Sequence, residues 1–197
     1  MQLTQKESAL LKDLRDQEQL CIDKYTKHAA AAHDPQLKTL FDNITATERS
    51  HLDLINRIGA GEEPTVPAGD GQGAASFSAY YPAAGQTEQA ADRYLCADLL
   101  ATEKHVSGLY DTCVFEFGQP ALRNVLNHIQ TDEQHHGESL YKYMKANGMT
   151  NDSMYERDWA FRMADPEIPC AQPRISPKMS EPAMKSATSS HEPPSVG

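Results

Sequence analysis

Positive charge is scarce in this 197-residue chain: 18 Lys and Arg stand against 28 Asp and Glu, and no local run of basic residues offsets the formal charge of -10. Such a balance repels phosphate backbones and anionic headgroups, so neither nucleic acid nor membrane is an expected partner. Long apolar runs are also missing. No stretch approaches the roughly eighteen apolar residues of a membrane helix, and Met1 to Glu7 hold no apolar signal core. A soluble, non-exported protein is the expectation. The cysteines, Cys21, Cys96, Cys113 and Cys170, form no Cys-x-x-Cys pair, which argues against a zinc ribbon, a rubredoxin-type iron site or a thioredoxin motif. Free thiols in a reducing compartment are expected instead.

Gly and Pro are absent from residues 3–33, where Leu11, Leu14, Cys21, Ile22, Tyr25 and Ala32 follow the three-four spacing of an amphipathic helix. At His33-Asp34-Pro35, Asp34 can cap and Pro35 can open a second helix, which Leu37, Leu40, Phe41, Ile44, Leu54, Ile55 and Ile58 carry to about Gly59. Gly and Pro then crowd residues 60–86, a long crossover loop. Helical pattern resumes near Thr87 and carries Leu95, Leu99, Val106, Tyr110, Cys113 and Phe117 to a break at Gly118-Gln119-Pro120. Leu122, Val125, Leu126, Ile129, Leu140 and Tyr143 mark a fourth helix, stopped by Asn147-Gly148. The bundle is assigned to residues 1–150. A short amphipathic piece over 151–165, around Met154, Trp159 and Met163, is expected to dock on it, and the Pro- and Ser-rich residues 166–197 are expected to be disordered.

A shift of 85 positions superposes Asp13 on Asp98, Glu18 on Glu103, Tyr25 on Tyr110, Pro35 on Pro120, Ile44 on Ile129, Glu48 on Glu133 and His51 on His136. One helical hairpin is used twice. Glu18, Glu48, His51, Glu103, Glu133 and His136 all fall on apolar stripes, where an ionisable side chain is costly unless paired or bound to metal. Each Glu-x-x-His pair projects from one helix face. In an antiparallel hairpin, residues equidistant from the turn lie side by side. Glu18 and Glu48 are centred on His33, and Glu103 and Glu133 on Gly118, so each Glu faces a Glu-x-x-His about 22 Å from its turn.

Packing the hairpins face to face gathers all six. Four carboxylates repel one another in an apolar core, and two divalent ions cancel that charge. Oxygen-rich ligation with one imidazole per metal suits iron or manganese and disfavours copper(I) or a thiolate zinc site. Buried structural ion pairs are the competing reading. Tyr25 and Tyr110, seven residues after Glu18 and Glu103, are candidates to hydrogen-bond ligand carboxylates, with ordinary core packing as the alternative. His135 is expected at the surface, and His28 as a hydrogen-bonded core or edge histidine. No catalytic residue is singled out.

The ligand pattern resembles the ferritin-like superfamily of ferritins and rubrerythrins, whose signature is one Glu from each of two helices and Glu-x-x-His from the other two. This implies an all-α, antiparallel four-helix bundle. Residues 98–104 (Asp98 to Lys104), Phe115-Glu116-Phe117, Leu122 to Gln130, Asp132 to Gly137 and Tyr141 to Met149 narrow the resemblance to CotF-type spore coat proteins. It covers residues 87–149 closely and 5–58 more loosely. It implies a place in the spore coat or the mother-cell cytoplasm, with other coat proteins or further copies of the chain as partners, and leaves the activity open. Unlike rubrerythrin, the chain has no cysteine-ligated iron domain, and Ala101 and Val106 near Glu103 supply no alternative ligand. Three readings stand at this point: a dimetal oxidoreductase acting on peroxide or dioxygen, a coat component stabilised by its metals, and iron binding without turnover.

Overall fold

A computed structural model describes residues 2–67, 76–81 and 85–150. Four helices make up the described structure: α1 (Gln5–Ala31), α2 (Pro35–Gly59), α3 (Gln86–Val114) and α4 (Pro120–Ala146). No strand is present among the described residues. The α1–α2 and α3–α4 hairpins pack with α1 against α3 and α2 against α4, which is a ferritin-like four-helix bundle. The expected docked segment 151–165, the expected disordered tail 166–197 and much of the crossover loop lie outside the described residues.

Local chemistry sets the helix ends. The Thr4 hydroxyl accepts from the Glu7 amide while the Glu7 carboxylate accepts from the Thr4 amide at 2.8 Å, a reciprocal cap for α1. Asp34 caps α2 by accepting from the Gln36 amide at 2.8 Å, and Pro35 occupies the first turn, where no amide partner is needed. At the end of α4, Gly148 takes φ 63°, a left-handed conformation, which lets the Met149 amide reach back to the Met144 carbonyl at 2.8 Å. One boundary differs from expectation. The apolar pattern carries α3 through Phe117, but the helix stops at Val114 and tightens into i to i−3 bonds from Glu116 and Phe117. This turn leaves Phe115 exposed and swings Phe117 into the core.

The hairpins latch each other's turns. The Glu7 carboxylate on α1 accepts from the Gly118 amide at 2.9 Å, and Asp92 on α3 accepts from the His33 and Asp34 amides at 3.0 Å. Glu7 and Asp92 are themselves 85 positions apart, as are His33 and Gly118, so the repeat reproduces the latch at both ends. Tyr81 also donates to Asp92, Tyr143 donates to Asp34 at 2.7 Å, and the Tyr80 amide bonds Asn147 Oδ1 at 2.9 Å. The Tyr80 and Tyr81 bonds tie the described crossover segment 76–81 to the bundle end.

Two apolar clusters fill the interior. One joins Leu11, Leu14, Ile55, Ile58, Phe117, Leu122 and Leu126 with neighbours at the α3–α4 turn end; the other joins Leu37, Phe41, Ile44, Leu99, Leu140 and Tyr143 at the α1–α2 turn end. Burial of each such large side chain stabilises the fold by about 1.5–3 kcal/mol. Between the clusters lies a polar layer.

Candidate metal centre

That layer consists of Glu18 (α1), Glu48 and His51 (α2), Glu103 (α3), and Glu133 and His136 (α4), none more than 3% exposed. Their approach is close. His51 Nδ1 lies 3.6 Å from Glu18, 3.7 Å from Glu48 and 3.4 Å from Glu133, and His136 Nδ1 lies 3.2 Å from Glu48, 3.6 Å from Glu103 and 4.0 Å from Glu133. The imidazoles face each other with ring centroids 6.1 Å apart. Two donor groups emerge, Glu18, Glu48, His51 and Glu133, and Glu48, Glu103, Glu133 and His136, each with ligand-type atoms within 4.8 Å of one another. Glu48 and Glu133 belong to both groups. All six sequence-derived residues therefore meet in one place.

A metal fits this donor set because much of the set makes no hydrogen bond. Among the described residues, the buried side-chain atoms lacking a hydrogen bond are Glu18 Oε2, both oxygens of Glu48 and of Glu133, Glu103 Oε2, His51 Nδ1 and both ring nitrogens of His136. All belong to this layer. A polar group buried without a hydrogen bond costs about 1–3 kcal/mol, more when charged, and a concentration of such atoms at one level is a place suited to a cation. Two clusters of this composition suggest a dinuclear metal-binding site.

The crowding of these groups shifts their proton affinities. Burial pushes Glu18 up to about 7, with Glu48's charge adding to the effect and His51 opposing it. Glu133 is driven well above the usual carboxylate range by burial and by Glu48 and Glu103. Burial acts in the same sense on Glu48, but its contacts with His136 and His51 outweigh it and hold this carboxyl below the usual range. Burial favours neutral imidazoles, yet the surrounding carboxylates prevail and raise His136 to about 9 and His51 well above its ordinary value.

The tyrosines cross the bundle. Tyr25 on α1 donates to Glu103 Oε1 on α3, and Tyr110 on α3 donates to Glu18 Oε1 on α1. Each hydroxyl thus supports the carboxylate of the opposite hairpin, and burial raises both phenols well above their ordinary values. His28 bonds Asp98 at 2.9 Å, and His135 is surface-exposed. Cys21, Cys96 and Cys113 are buried free thiols.

Sequence reasoning missed Asp132, whose Oδ2 lies 3.2 Å from His51 Nε2 across the α2–α4 seam. The available signal was its place immediately before Glu133, just off the apolar face of α4. Asp92 and Glu7 were also missed as turn latches, although extending the 85-residue repeat toward the N-terminus pairs them.

No described helix is long and apolar enough to cross a membrane. No curated protein and no solved structure shows a significant match to the chain. Residues 91–152 match the family model of the Coat F domain, a span covering most of α3 and all of α4. With Glu103, Glu133 and His136 inside that span and a four-helix bundle around them, the Coat F domain match over α3 and α4 supports a CotF-type spore coat protein of the ferritin-like superfamily.

Proposed function

We propose that this protein holds two iron or manganese ions between its hairpins, where Glu18 and His51 would serve one position, Glu103 and His136 the other, and Glu48 and Glu133, common to both donor groups, would serve both. The observation that carries the reading is the coincidence of the two donor groups with the buried atoms that make no hydrogen bond. When bound, such a pair supplies two one-electron oxidation changes, the number that reduction of hydrogen peroxide to water needs. The chain's own residues prepare the place. Four carboxylates match the charge of two divalent ions, the Tyr25 and Tyr110 hydroxyls steady Glu103 and Glu18, and the apolar clusters on either side exclude water and strengthen electrostatic attraction within the layer. The Coat F domain supports a spore-coat or mother-cell location for this chemistry, with other coat proteins or further copies of the chain as partners.

A second reading, a centre that only stabilises a coat component, draws on the near-complete burial of all six residues. The two readings part on one experiment. Purified protein is analysed for iron, manganese and zinc, and the reduced, loaded protein is mixed with hydrogen peroxide. About two iron or manganese ions per chain with stoichiometric peroxide loss supports the redox reading, and metal without peroxide loss supports the stabilising one. Absence of metal after reconstitution would sink both. Glu48→Ala and Glu133→Ala remove the carboxylates common to both donor groups and should abolish loading at the pair; retained metal in the double variant overturns the assignment.

A further inference from the structure

The repeat makes the two halves of the centre nearly equivalent in donors, but their outer contacts differ. His51 has its Nδ1 toward the carboxylates and its Nε2 against Asp132 Oδ2 at 3.2 Å. His136 also turns Nδ1 inward, but its Nε2 is buried and makes no hydrogen bond among the described residues. The repeat explains the difference: the counterpart of Asp132, 85 positions earlier, is Thr47, which has no carboxylate and whose hydroxyl reaches its own helix at the Asn43 carbonyl (3.5 Å). Asp132 is further set among imidazoles, 3.5 Å from His128 Nε2 and 3.9 Å from His135 Nδ1, at the boundary with solvent.

An imidazole that donates its outer N–H to a carboxylate is fixed in tautomer and ring orientation, and its inner nitrogen becomes a stronger donor to a metal. Resting on the metal reading above, we propose that the two metal positions are unequal: the His51 position fills first and holds its ion more tightly, with Asp132 as the positioning residue responsible. The His136 position, lacking this support, binds second and releases first. Removing such an outer-shell partner typically costs 10- to 100-fold in metal affinity, so the intrinsic difference between the positions should fall in about that range.

The test is a stepwise titration of metal-free protein with Mn(II), following affinity by calorimetry and the state of the ion by electron paramagnetic resonance. One equivalent should give the signal of an isolated Mn(II), and the second should bind about tenfold or more weakly and convert it to a coupled pair. Asp132→Asn should weaken the first step by about tenfold or more and leave the second nearly unchanged, whereas Thr47→Asp, which places a carboxylate at the equivalent point, should strengthen the second. Coupled pairs from the first addition, or an Asp132→Asn protein with an unchanged first step, would overturn the inequality while leaving the dinuclear reading intact. Wild-type protein that takes up no Mn(II) would remove both.

Discussion

Tyr110 and Glu18 belong to different hairpins, and their bond shows what a single side chain contributes to the centre. Tyr110→Phe keeps the ring that fills the core but leaves Glu18 Oε1 buried without a donor. An acceptor stranded in this way costs about 1–3 kcal/mol. The cost should appear in the metal-free protein and shrink after loading, when a cation replaces the lost donor. Urea unfolding in chelator and in excess Mn(II) measures both states, and Tyr25→Phe should repeat the pattern through Glu103. An equal loss in both states would mean that the hydroxyl serves packing and not the centre. The partner of each tyrosine was not legible in the sequence. Seven-residue spacing put Tyr25 on the face of Glu18, but which carboxylate the hydroxyl reaches depends on how α1 docks on α3. The six acidic and imidazole residues were legible because ionisable groups on apolar stripes at matching distances from two turns are an anomaly that periodicity exposes. Asp132 sits beside the stripe and is partly exposed, where acidic residues are ordinary, so its place before Glu133 was the one weak sign of it in the sequence.

Helices and their turns were the most readable elements, since Asp34-Pro35, Gln119-Pro120 and Asn147-Gly148 carry the chemistry of starts and stops in the chain itself. The end of α3 was less so. Phe117 fits the apolar stripe of a continuing helix, and only the tertiary demand to bury it while Phe115 faces water selects the tighter turn. Long-range latches were hidden for the same reason. Asp92 is fully buried at the start of α3, and its carboxylate receives two backbone amides and the His33 ring from the opposite hairpin, together with Tyr81. Asp92→Ala leaves the His33 and Asp34 amides without that acceptor and should destabilise the protein by about 1–3 kcal/mol in a denaturant titration. Metal content should not change, because the latch lies at the turn end of the bundle, away from the polar layer. A loss below about 0.5 kcal/mol would mean that water or another group takes over the amides.

At the scale of the whole molecule, one polar layer between two apolar clusters links folding to proton and metal uptake. In the metal-free protein, the carboxyl of Glu18 is raised to about 7 and that of Glu133 is raised well above the usual carboxylate range, so both favour the protonated form in the folded state. Their contribution is present at mildly acidic pH and declines as pH rises past the ordinary carboxylate range toward their folded values. His136, raised to about 9, and His51, raised in the same direction, stabilise the fold below the ordinary histidine value, and this contribution is lost as pH climbs through their folded values. Glu48 is shifted the other way, and its contribution disappears only in stronger acid. The metal-free bundle should therefore lose thermal stability steadily from about pH 5.5 to 8.5. Metal reverses the slope, because the ligands must shed those protons to bind, so the gain in melting temperature on adding Mn(II) should grow over the same interval. Paired melts in chelator and in Mn(II) across this range test the coupling. If the two curves ran parallel, with a constant gap between them, the protons of the polar layer and the metal would not be exchanging for the same atoms, and the six residues would have to be read as a proton-sharing core that a metal does not enter.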